Sequence, residues 1–230
     1  IKRMGDRLPA SWLGNASRIL CLHGSGGNAI EFASYLKPLT SELEAMSLAT
    51  FHFTQGRYDF HSHAVLPIDF ENDREASRCW YIVGKTSSGV KRMIGVESAL
   101  EHLEQYVEQH GPFDGILGFS QGTVMATMFT SSLIQRRSPK RASIPKMLVL
   151  FAPRLPVDVE CAKMVSDVSH HLKSIPSYHT VGDKDTMIRP AVSAKLISQF
   201  CASTRRPQNK SLTPVVHTHG GGHEVPQSCF

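Results

Sequence analysis

The sequence predicts an α/β fold built on a mostly parallel sheet of about six strands, with helices on both faces. Three observations predict it. Short apolar, β-branched-rich runs recur along the chain, each bounded by Gly, Pro or polar residues, as expected of strands buried on both faces. Longer segments with helical periodicity separate them, and that alternation folds as parallel strands joined by helical crossovers. A serine flanked by glycines, Gly118-Phe119-Ser120-Gln121-Gly122, falls at one of the strand-to-helix junctions.

The elements follow in order. Residues 18–22 (RILCL) read as the first strand, and a glycine-rich loop, His23-Gly24-Ser25-Gly26-Gly27-Asn28, leaves it. Ala29–Ala45 places Ile30, Phe32, Leu36 and Leu39 near one helical face, and Pro38 is expected to kink or divide that helix. A second strand is read at 47–53. Residues 56–95 show no clear period and are expected to form a lid or insert. Val96, Leu100, Leu103 and Val107 keep helical spacing until Gly111-Pro112 ends the helix. Strand 113–119, the serine turn, helix 123–134 and strand 146–151 come next. The last part alternates strand 177–181, helix 190–201 opening on Pro190, and strand 214–217.

Composition limits the function classes. The chain of 230 residues has 41% hydrophobic and 20% charged residues, ordinary globular usage that one domain over 1–230 accommodates. A net charge of +5 arises from 25 Lys+Arg against 20 Asp+Glu. The basic residues lie in small groups, which argues against a nucleic-acid stripe. No apolar run approaches a membrane span, and IKRMGDRLPASWLG lacks a signal-peptide core. Five cysteines without a CxxC point to a reducing, cytoplasmic setting.

The serine turn carries the chemistry. A tight strand-to-helix turn lifts the Ser120 hydroxyl above the sheet edge at a helix N-terminus, where developing negative charge is favoured. A serine nucleophile needs a base, and the base needs an orienting carboxylate. Val181-Gly182-Asp183-Lys184-Asp185 follows one strand and His219-Gly220-Gly221-Gly222-His223 follows the last. We choose His223 over His217 and His219 because the glycines let the backbone bring it close to Ser120. Asp185 is chosen over Asp183, with Asp158 an outside alternative. The oxyanion donors are expected to be the amides of Gln121 and Ser25, and His23 is expected to be structural.

No cofactor is expected. The glycine-rich loop lacks a nucleotide-binding pattern, and His61, His63, His217, His219 and His223 lack the HExxH helix or carboxylate pair a metal site would add. Phe119, Phe60, Leu66, Phe70, Trp80 and Met93 are candidates for an acyl pocket, with Phe119, Trp80 and Phe60 preferred.

The stretch GVESALEHLEQYVEQHGPFDGILGFSQGTVMATM resembles the FSH-type serine hydrolases (family serine hydrolases) of the α/β-hydrolase superfamily, and ILCLHGSGGN, VGDKDTMIRP and HGGGHEVP are similar to that family's other blocks, in the same order. The resemblance implies a compact α/β-hydrolase fold. It also implies a Ser120–Asp185–His223 hydrolase of small-molecule acyl esters or thioesters. Similar fungal members release polyketide chains from synthases, which implies an acyl carrier domain as a possible partner. The family pattern continues past its H-x-V-P block into a final helix that this sequence, ending at Phe230, does not show. A small-molecule carboxylesterase is the alternative reading, and a catalytically idle binding scaffold a more distant one.

Overall fold

The computed structural model describes residues 16–66, 76–136, 144–201 and 213–226. In chain order the first half contains β1 (Ser17–Leu22), α1 (Ala29–Ala45), β2 (Ala49–Thr54), β3 (Tyr58–Asp59), β4 (Arg78–Cys79), β5 (Ile82–Lys85), β6 (Lys91–Ile94) and α2 (Val96–His110). The second half contains β7 (Gly115–Phe119), α3 (Gln121–Arg136), β8 (Met147–Phe151), α4 (Val159–Asp167) and α5 (Ser169–Leu172). It closes with β9 (Ser177–Gly182), α6 (Pro190–Ile197) and β10 (Val215–His219).

Six of the strands form one sheet in the order β10-β9-β8-β7-β1-β2, with every neighbouring pair parallel. This is the mostly parallel α/β sheet that the strand runs predict, in the α/β-hydrolase architecture that the family resemblance implies. The two-residue period of β1 builds both sides of the core. Leu20 and Leu22 join α2 and α3 residues such as Leu103, Val124 and Met128. Ile19 and Cys21 join Phe32 and Leu36 of α1, with Leu117, Phe151 and Val225. The sheet is thus sealed on both faces, and the carboxyl ends of β1, β7, β9 and β10 open at one edge.

Four local differences from the sequence reading have physical causes. Pro38 does not divide α1, because it sits on the exposed face, where water can satisfy the carbonyl it strands. Helix α6 stops at Ile197 and continues as turns. The 56–95 stretch contains two short antiparallel pairs, β3–β4 and β5–β6, too brief to leave a periodic signal. Helices α4 and α5 were not anticipated. The first is announced only by its cap, Asp158, whose carboxylate accepts the Glu160 and Cys161 amides. Among the described residues no helix is long and apolar enough to cross a membrane.

Candidate active site

Ser120 ends β7 and precedes α3 with φ 51°, in the left-handed region. For a residue with a side chain this is a strained backbone, and the surroundings hold it. The Ser120 amide donates to Phe151 O at 2.9 Å. Its carbonyl accepts the Thr123 amide at 3.0 Å and the Thr123 hydroxyl at 2.7 Å. Both flanking glycines are sterically required. A Cβ on Gly118 would strike the Gly122 carbonyl, and one on Gly122 would strike the Leu22 carbonyl.

The three side chains singled out in the sequence meet at this edge. The Ser120 hydroxyl donates to His223 Nε2 at 2.8 Å. His223 Nδ1 donates to Asp185 Oδ2 at 2.7 Å. The other Asp185 oxygen accepts the amides of Met187 at 2.9 Å and Ile188 at 2.7 Å. Three donors therefore fix a carboxylate with 1% side-chain exposure, so that its charge falls on the imidazole. Asp183 is exposed and bonds through its backbone to His219, while Asp158 caps α4 and holds Arg92 and the Met93 amide. His219 keeps its own ring for the Gly221 amide. Among the described residues no group of three or more His, Cys, Asp or Glu gathers as a metal site.

The loop after β1 lies against the serine. A Cβ on Gly24 would come 2.8 Å from the Phe119 ring and 3.4 Å from Ser120 Cβ. The Gly26 amide donates to Arg78 O at 2.8 Å and the Arg78 amide returns to Gly27 O at 3.0 Å, which pins the loop to β4. His23 pins its base. Gly56 donates to Nε2 at 3.0 Å, so Nδ1 carries the proton and donates to Gly24 O at 2.6 Å. Burial pushes the His23 pKa down from 6.5 to about 4, the charged form being unsolvated there. Among the described residues, the backbone amides of Ser25 and Gln121 donate to no protein acceptor. Two free N–H groups thus remain on the segments flanking Ser120, and α3 points its positive end at the same place.

The pocket expectations fare unevenly. A cleft of about 270 Å³ opens beside the loop, lined by Phe119, Phe32, Tyr35, Glu31 and the 23–28 backbone. Phe119 also packs 5.1 Å from the His223 ring. Phe60 is exposed and lies 3.9 Å from where a Gly26 Cβ would sit, over the loop rather than in the cleft. Trp80 is corrected. It is fully buried in the core, with its indole N–H donating to His23 O at 2.9 Å, so it offers no surface to a substrate. Met93 is likewise a core residue, and Phe70 lies outside the described residues. Tyr35 and Glu31 escaped the sequence reading because helical spacing marks them only as the outer face of α1.

The chain is similar to known proteins in sequence and in fold. The family model described as serine hydrolase (FSH1) matches residues 13–229. Hydrolase phiM of Fungal sp. (strain ATCC 74256) is 31% identical over 172 residues, covering 73% of this chain and 72% of that protein. Esterase C25G4.2 of Caenorhabditis elegans is 28% identical over 217 residues, covering 91% and 86%. Among solved structures, Zea mays acyl-protein thioesterase 2 superposes with a TM-score of 0.63 at 15% identity, over 93% of this chain and 89% of that one. That last likeness is one of fold.

Proposed function

The chain belongs to the FSH1 serine hydrolase family, and we propose that it cleaves acyl esters or thioesters with Ser120 as nucleophile, His223 as base and Asp185 as the orienting acid. One observation carries this reading: an unbroken chain of hydrogen bonds from Ser120 Oγ through both ring nitrogens of His223 to Asp185.

Ser120 Oγ attacks the acyl carbonyl carbon while its proton passes to His223 Nε2. The carbonyl oxygen takes up the electron pair and is held by the Ser25 and Gln121 amides. Asp185, fixed by the Met187 and Ile188 amides, keeps Nδ1 protonated and stabilises the imidazolium. Collapse of the tetrahedral adduct breaks the bond to the departing alcohol or thiol, which receives the Nε2 proton. Water then attacks the acyl-serine by the same route, releasing the acid and restoring Ser120.

A finer reading adds the substrate: a polyketide or fatty acyl chain released from an acyl carrier domain. Exposed Lys85 and Lys91, opposite each other on the β5–β6 pair, support an acidic partner. A small-molecule carboxylesterase is the alternative, supported by the relative named as an esterase. Comparing carrier-bound thioesters with free acyl esters separates them. The underlying chemistry is tested with a fluorophosphonate probe, which should label Ser120 alone. Ser120→Ala should lose on the order of 10⁶ in kcat, and retained turnover in that variant rejects the reading.

A further inference from the structure

The cleft beside Ser120 is mainly apolar and holds one carboxylate. Phe32, Tyr35 and Phe119 supply rings to its walls, and Glu31 stands exposed at its rim. Glu31 Oε2 lies over the loop, 3.8 Å from where a Cβ on Gly27 would be. Its backbone amide is spent on the Asn28 cap. Among the described residues the carboxylate itself joins no ion pair and accepts no hydrogen bond.

The position of the cleft says which half of a substrate it meets. Tyr35 Oη accepts the Val225 amide and donates to the Val225 carbonyl, both at 3.2 Å, which ties α1 to the segment carrying His223. Phe119 runs beneath the same imidazole. Two residues that line the cleft, Tyr35 and Phe119, therefore touch the segment that carries His223. The imidazolium hands its proton to the departing oxygen or sulfur, so the alcohol or thiol half of the substrate lies on the His223 side, and the acyl half on the other.

We propose that Glu31 makes this cleft a charge filter on the leaving group. It admits neutral and cationic alcohols or thiols and rejects those bearing a carboxylate, sulfonate or phosphate near the reacting atom. The proposal rests on the hydrolytic reading above and adds to it a substrate class. It also predicts the opposite preference to the one set by the protein's overall charge of +5, which by itself would draw anions. An acidic residue in a first helical turn also steadies the helix dipole, but that role is blind to the charge on a substrate.

The test uses three thioesters with one acyl group: S-butyrylthiocholine, S-butyryl-N-acetylcysteamine and S-butyryl-2-mercaptoethanesulfonate. Each kcat/KM is divided by the rate of hydroxide hydrolysis, which removes the intrinsic reactivity of the thiol. The wild type should favour the cationic over the anionic substrate by about tenfold at low salt, in KM, with the ratio shrinking as salt is added. Glu31→Gln should bring the ratio close to one, and Glu31→Lys should reverse it. A ratio unmoved by both substitutions overturns the proposal, and so does discrimination that follows acyl charge (succinyl against butyryl) instead. If neither these thioesters nor the matching oxoesters are turned over, the hydrolytic reading is what fails. The filter is then read by titrating Ser120→Ala protein with butyltrimethylammonium and butanesulfonate by NMR, and equal affinity overturns it.

Discussion

Gln121 clasps Trp80. Its side-chain Oε1 accepts the Trp80 amide at 2.7 Å, and its Nε2 donates to the Tyr81 carbonyl at 2.9 Å. The backbone and the side chain of Gln121, the residue after Ser120, are thus separately placed. Its backbone amide faces no protein acceptor, while its side chain anchors the 76–95 segment to the start of α3. Trp80 passes the restraint on, because its indole N–H holds the carbonyl of His23 at the root of the glycine-rich loop.

Gln121→Ala should therefore act chiefly on stability. It leaves a buried N–H and a buried C=O unpaired, at about 1–3 kcal/mol each, which a urea unfolding series would read. The backbone amide survives the substitution, so kcat should fall by far less than in Ser120→Ala. A variant with wild-type stability would show that the clasp contributes nothing.

The proposed role of Asp185 is separable from that of its neighbour Asp183. Asp185→Asn removes the carboxylate charge facing His223 and should lower kcat by roughly 10³–10⁴ with a much smaller change in KM. Asp183→Asn, altering an exposed side chain, should leave turnover close to wild type. The reverse ranking in steady-state kinetics would exchange their roles.

Much of this arrangement was legible in the sequence, and the reasons differ from part to part. Strands buried on both faces write themselves as continuous apolar runs, so all six sheet strands were readable. The meeting of Ser120, Asp185 and His223 was readable because each follows a strand and the sheet edge gathers strand ends. Trp80 was misread because residue type alone cannot tell an aromatic ring facing a substrate from one facing the core. The clasp by Gln121 was invisible, since its partners are backbone groups 41 and 40 positions away. Likewise Glu31 carries no pattern of its own, and its place is set only when α1 docks beside Phe119.

Buried neutral histidines should make the fold acid-sensitive. Burial pushes His23, His102 and His179 each from 6.5 to about 4. Their rings are used as neutral groups, His102 with the Thr54 hydroxyl and His179 with the Ser177 hydroxyl. The unfolded chain takes up these protons near pH 6.5 and the folded chain only near 4. Stability is complete above that window and falls as the pH drops through it. His23 alone accounts for about 3 kcal/mol across the window. Urea midpoints measured from pH 7 to 4 should decline steeply, and His102→Gln should make the slope shallower by about one proton. A flat profile would contradict the buried neutral assignment.

The glycines of the site are not equivalent, and substituting them one at a time should show it. At Gly122 an added Cβ would meet the Leu22 carbonyl, and His23 O would lie 2.7 Å away. Backbone atoms of β1 and its loop cannot step aside without moving the Ser25 and Gln121 amides. Gly122→Ala should therefore cost at least about 3 kcal/mol and reduce turnover in whatever folds. Gly220 is the opposite case. Nothing lies within 4 Å of the position its Cβ would occupy, and its φ is outside the left-handed region. The run of three glycines before His223 is thus not a conformational necessity at its first position. Gly220→Ala should stay within about 0.5 kcal/mol of wild type, with kcat unchanged. Parallel thermal unfolding and esterase assays of the two variants decide the point: equal damage in both would mean that the loop before His223 needs its freedom during turnover, rather than in the resting geometry.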